Sequence, residues 1–130
     1  MHTSTASDLL KAISDSESRD IFCSIAKNDV EIKELKQTRG LTRKQYYLRM
    51  RQLLNSGLVE RKNGRFSLTC LGAIVYDAQL VIESGINNFW KLKAIDSIQE
   101  LSQIAEQERV KLIKTILNDN TIENILVKSN

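Results

Sequence analysis

The sequence predicts a mainly α-helical chain interrupted once by a small β-hairpin, and three features predict it. Proline is absent from all 130 residues, so nothing forbids long helices and the punctuation falls to Gly, Asn, Ser and Thr. Three capping signals, Ser14 with Glu17, Asn28 with Glu31 and Thr42 with Gln45, imply three short helices with tight turns. After Gly57 the apolar period drops from 3.6 to 2 around Asn63-Gly64, the strongest two-residue hairpin signal.

Taken in order, a first helix is expected from Ser7 to Ile13, with Leu9, Leu10 and Ile13 on one side. A second, over 15–27, sets Ile21, Phe22, Ile25 and Ala26 on one stripe. Asn28 opens a short helix that ends near Gly40, with Val30, Ile32 and Leu35 apolar. In the helix over 43–55, Tyr46, Met50 and Leu53 recur at i, i+4 and i+7 and pack inward. Arg43, Lys44, Tyr47, Leu48 and Arg51 point elsewhere. An outward face with three cations and a tyrosine buries itself poorly. It suits a negatively charged groove, where long basic side chains reach phosphates or base edges. Arg49 stands apart from that face, as a side chain that snorkels over the helix pair or bridges an acidic residue.

Gly57 supplies a left-handed helix end, and two strands follow, Leu58 to Lys62 and Arg65 to Thr69. A two-residue turn pairs Lys62 with Arg65, Arg61 with Phe66, Glu60 with Ser67 and Val59 with Leu68. Val59, Phe66 and Leu68 then share one face, and the hydrophobic pattern agrees with the turn. The tip is a cationic finger of Arg61, Lys62 and Arg65. From the cap Thr69 to Ser84, Leu71, Ile74, Val75, Ala78, Leu80, Val81 and Ile82 return at helical spacing. Gly85 interrupts, a second segment spans Phe89 to Ile98, and a third spans Gln103 to Leu117 with Val110, Ile113, Ile116 and Leu117 apolar. A last short helix includes Ile122, Ile125 and Leu126.

Charge is unevenly spread. Residues 33–65 hold ten basic and two acidic side chains, a net +8, against −3 for residues 1–32 and −2 for residues 66–130. Such a block attracts polyanions by counterion release, although a solvated basic face reads the same way on charge alone. Composition excludes a disordered acidic tail and a fibrous repeat: 42% of residues are hydrophobic and 27% charged. No apolar run reaches the length of a membrane span, and the opening MHTSTASDLL lacks a basic stretch leading into an apolar one. A cytoplasmic protein with no membrane partner is expected. Cys23 and Cys70 lie far apart with one histidine, His2, so no zinc-ligand spacing exists. No metal and no cofactor are expected, and both cysteines read as small buried fillers. There is no Gly-rich phosphate loop, no Ser/His/Asp or Cys/His set and no motif pairing two carboxylates, so the chain does not read as an enzyme.

Helix, helix, recognition-type helix, basic hairpin, helix is the order of a winged helix-turn-helix. The segment LTRKQYYLRMRQLLNSGLVERKNGRFSLTCLGAIVY resembles the archaeal winged-helix regulators loosely grouped with the ArsR type, and GLVERKNGRFSLTCLG is similar to their helix end, wing and return into the next helix. The resemblance covers residues 15–98 and implies a sequence-specific, usually dimeric regulator of transcription that binds double-stranded DNA. The chain departs from metal-sensing members in lacking their clustered cysteines. Carried over, recognition-helix contacts fall on Thr42, Arg43, Lys44, Tyr47 and Arg51, and wing contacts on Arg61, Lys62, Asn63 and Arg65, with Arg39 joining the DNA-binding set. Arg43 and Lys44 would reach guanine edges in the major groove, and Arg51 a phosphate.

Residues 1–85 are thus expected to form the winged helix-turn-helix, and residues 86–130 a helical extension for dimerisation or regulation. A homodimer would pair through Leu71, Ile74, Val75, Ala78, Phe89 and Trp90, because these helices carry more apolar surface than one small domain needs. Two other readings stay open: a winged-helix module for protein–protein interaction, and a non-specific, chromatin-type DNA binder.

Overall fold

Helix α1, Ala6–Ala12, starts from Thr5, whose hydroxyl accepts from the Asp8 amide while the Asp8 carboxylate accepts from the Thr5 amide. The structure, a computed structural model, describes residues 5–27, 40–101 and 105–128. The helix expected from Asn28 to Gly40 lies outside the described residues. Those residues form seven helices and one two-stranded antiparallel sheet, so the chain is mainly helical with a small hairpin.

Ala12 and Ile13 are buried, Leu9 is half-buried, and Leu10 is exposed, contrary to its expected place beside them. The spacing explains it: 9, 12 and 13 follow i, i+3, i+4, which leaves residue 10 on another side. Helix α2, Ser16–Lys27, buries Ser18, Ile21, Phe22 and Ile25. Ser14 does not act as its cap. The Ser14 hydroxyl donates to the Lys11 carbonyl at 2.9 Å, closing α1 instead. The Arg19 guanidinium donates to the carbonyls of Ile13 and Ser14, which fixes the bend between the two helices.

Helix α3, Arg43–Asn55, buries Met50 and Leu53 and half-buries Tyr46. It packs against α1 and α2 and against the hairpin, strands β1 (Val59–Lys62) and β2 (Arg65–Leu68). The register is the expected one, from Val59 opposite Leu68 to Lys62 opposite Arg65. Asn63 (φ 54°) and Gly64 (φ 77°) are both left-handed, as the tight turn requires. Leu58 and Val59 are buried, and Phe66 and Leu68 pack against the same core as Phe22, Met50 and Leu53.

Helix α4, Cys70–Asn87, is capped as expected: the Thr69 hydroxyl accepts from the Gly72 amide at 3.0 Å and donates to the Gly57 carbonyl. It continues through Gly85, correcting the expected interruption there. The break falls at Asn88, whose amide reaches back to the carbonyls of Ser84 and Gly85. A glycine costs about 1 kcal/mol in a helix interior, too little by itself to end the helix. The chain divides into two compact units, residues 1–77 and residues 78–130, the boundary lying eight residues before the one expected at 85.

In the second unit, α5 (Phe89–Leu101) packs on α6 (Glu106–Leu117), and α6 on α7 (Asn120–Lys128). Ile95, Ile113, Leu117 and Ile122 form its core, joined by Val81, Leu92, Ile116 and Leu126. Helix α6 begins after Ala105 rather than at Gln103, and ends on left-handed Asn118.

Candidate nucleic-acid interface

The expected DNA-binding residues are distributed over α3 and the hairpin, both in the first unit. That unit also carries the excess positive charge, with thirteen basic and nine acidic residues against six and seven in the second. Arg39 lies outside the described residues.

Thr42 begins α3 with the capping box its sequence predicts. Its hydroxyl accepts from the Gln45 amide at 3.1 Å, and Gln45 Oε1 accepts from the Thr42 amide at 2.9 Å. Arg43 and Lys44 follow in the first turn, both exposed, and α3 contains no acidic residue. Placing two cations at the positive end of a helix works against its dipole by about 0.3–1 kcal/mol each. The same end, with its outward amides and added cations, is well suited to an anion. A local rule broken on an exposed surface is the pattern expected of a functional one.

Arg43, Tyr47 and Arg51 recur at i, i+4 and i+8, and all are exposed. Tyr47 is 54% exposed, lies edge-on to Tyr46 at 5.4 Å, and has the Arg43 guanidinium over its ring at 5.7 Å. Tyr46 instead packs inward, and burial, reinforced by the neighbouring Tyr47, pushes its hydroxyl pKa up. A second exposed row, Lys44, Leu48 and Gln52, flanks the first. Gln52 was not among the expected residues, although its i+4 spacing from Leu48 is the signal that finds it.

Arg49 is not on this surface. Its Nε donates to Asp15 Oδ2 at 2.8 Å and an Nη lies 3.8 Å from Glu17, so it serves the packing of α3 on the start of α2. At the hairpin, Arg61, Lys62, Asn63 and Arg65 are all exposed. They do not share one face: Arg61 pairs across to Phe66, whose ring it covers at 5.6 Å, whereas Lys62 and Arg65 are opposite each other on the other face. The tip can therefore meet a backbone from either side.

Of the expected dimer residues, Ile74, Ala78, Phe89 and Trp90 are exposed and Leu71 is partly so, while Val75 is half-buried and packs against the first core. Phe89 and Trp90 contact each other edge-on at 5.1 Å. Cys70 is exposed and Cys23 half-buried, so neither is the buried filler expected. Among the described residues no group of three or more His, Cys, Asp or Glu side chains is placed to hold a metal, and no helix is long and apolar enough to cross a membrane. No family model, curated protein or solved structure matches the chain, so the chemistry of this surface stands on its own residues.

Proposed function

We propose that the chain is a sequence-specific regulator of transcription that binds double-stranded DNA as a homodimer. Helix α3 enters the major groove, and the hairpin lies on the adjacent minor groove or backbone. The observation that carries this reading is the outer face of α3: a capped helix, free of acidic residues, whose first turn exposes Arg43 and Lys44 beside Tyr47 and Arg51. Arg43 and Lys44 read guanine edges, while Arg51, Arg61, Lys62 and Arg65 neutralise phosphates and set the register. Thr42, Tyr47 and Asn63 add hydrogen bonds to backbone or bases. Two copies double the few base contacts that one such helix offers.

Selection of bound duplexes from random DNA at two salt concentrations tests the reading, because it returns both a sequence preference and the number of phosphates contacted. A consensus with two-fold symmetry and a steep salt slope is expected. Retention of all sequences alike would replace the specific regulator with a non-specific binder.

A second reading is favoured by Leu48, a large apolar side chain 53% exposed on the same face. In a module for protein–protein interaction, such a residue anchors a partner. Replacing Arg43, Lys44 and Arg65 with alanine separates the two, since it abolishes DNA retention in the first reading and leaves partner binding intact in the second.

A further inference from the structure

Leu48 is a large aliphatic side chain on the solvent side of α3, 53% exposed and joined to neither hydrophobic core among the described residues. At about 100° per residue it stands about 160° round the helix from Met50 and about 140° from Leu53, the two residues that α3 buries. It is therefore close to the middle of the outward face. Its neighbours one turn away, at i−4, i−3, i+3 and i+4, are Lys44, Gln45, Arg51 and Gln52, all exposed. One apolar side chain is ringed by two cations and two amides.

Such a ring disfavours a broad apolar partner, because covering Leu48 with one would strip water from Lys44 and Arg51 without pairing either charge. It suits a surface that is anionic and polar except at small apolar points. The major groove of DNA has that character: phosphates line its rims, donors and acceptors line its floor, and its distinctive apolar group is the C5 methyl of thymine. Leu48 follows Lys44 by one helical turn, about 6 Å along the axis, which is under two base-pair steps of about 3.4 Å.

We infer that Leu48 reads a thymine by its methyl group, within about two base pairs of the guanine that Arg43 or Lys44 bonds. This rests on the reading of α3 as the helix that enters the major groove, and it adds a specificity-determining residue to that reading. Cytosine at the same place lacks the methyl and presents an amino group that leucine covers without bonding, so it is selected against. Lys44 and Arg51 supply the attraction that brings the face to the duplex, and Leu48 supplies discrimination.

Anisotropy titration of the full chain with the duplex most enriched from random DNA, and with a copy in which deoxyuridine replaces every thymidine, tests it, since the two differ only in the C5 methyl. The native chain should bind the thymine duplex about fourfold more tightly for each methyl that meets Leu48. Leu48→Ala puts a better helix former at an exposed position, so the fold is kept, and the variant should bind both duplexes alike. Uracil placed at one thymine at a time should reproduce the loss at a single position in each half-site. Equal binding of the two duplexes by the native chain, a loss spread evenly over all thymines, or a native preference kept by Leu48→Ala would each overturn the inference and leave α3 as a DNA-binding helix. Absence of binding to either duplex would overturn both.

Discussion

Arg49 Nε donates to Asp15 Oδ2 at 2.8 Å, joining the middle of α3 to the residue that precedes α2. Both side chains are partly solvated, so the pair belongs to the modest class of ion pairs. Its consequence is nonetheless measurable. Partial burial raises the Asp15 carboxyl pKa, but the Ser18 hydroxyl and the Arg49 guanidinium outweigh it and hold the group below the ordinary aspartate value. A depressed folded-state pKa stabilises the fold above the unfolded value, and this is lost as pH falls through the folded one. Asp15→Asn should therefore cost about 0.5 kcal/mol at pH 7, and the difference from the native chain should vanish well below the carboxylate range. Urea unfolding of both proteins at the two pH values checks the sign.

Two glycines of α4 should respond oppositely to the same substitution. A β-carbon on Gly72 would overlap the carbonyl oxygen of Leu58, the backbone group that also accepts from the Thr69 amide. Gly72→Ala must move the hairpin base or the helix, at a cost of about 1–3 kcal/mol. Among the described residues nothing lies within 4 Å of the β-position of Gly85. Gly85→Ala should stabilise by about 0.5–1 kcal/mol through better helix propensity and a less flexible unfolded chain. Thermal or denaturant unfolding of the two variants measures both signs.

These two positions also mark how far the sequence could be read. The turn and register of the hairpin were legible, because period-2 alternation from Val59 to Leu68 and the Asn63-Gly64 turn constrain the same register from independent directions, whereas each strand is one residue shorter at its outer end than expected, without Leu58 and Thr69. The Thr42–Gln45 box was legible for the same reason, a local motif with local consequences. Gly72 and Gly85 look alike in sequence, and what separates them is a backbone fourteen residues from Gly72 that comes close only in three dimensions. Ser14 failed as a cap because the Lys11 carbonyl competes for its hydroxyl. The outward face of α3 followed from its period, whereas the exposure of Cys70 and Trp90 depends on what packs beside them.

Trp90 is the only tryptophan in the chain and is 79% exposed, beside Phe89 in the second unit. Its emission should be that of a solvated indole at high dilution. If Phe89 and Trp90 anchor the homodimer, emission shifts to the blue as concentration rises, in step with a doubling of mass by light scattering. Truncating a central aromatic anchor typically costs about 2 kcal/mol or more, so Trp90→Ser should raise the concentration for half-association by at least about thirtyfold. A monomer at micromolar concentration whose mass and emission do not change when DNA is added would count against pairing through these residues.

Asn63 has two roles in the proposal, as a turn residue and as a DNA contact, and two substitutions separate them. Its φ of 54° suits Asn and Gly but costs most other residues about 1–2 kcal/mol. Asn63→Gly keeps the turn and removes only the amide, so stability should stay within about 0.5 kcal/mol of native. Affinity for duplex DNA should fall by roughly fivefold, the loss of one neutral hydrogen bond. Asn63→Ala removes the amide and strains the turn as well, so it should lose the same affinity plus about 1 kcal/mol of stability. Anisotropy titrations with a labelled duplex, set beside urea unfolding, give both quantities. Native affinity in Asn63→Gly would confine Asn63 to the turn and leave the hairpin's hold on DNA to Arg61, Lys62 and Arg65.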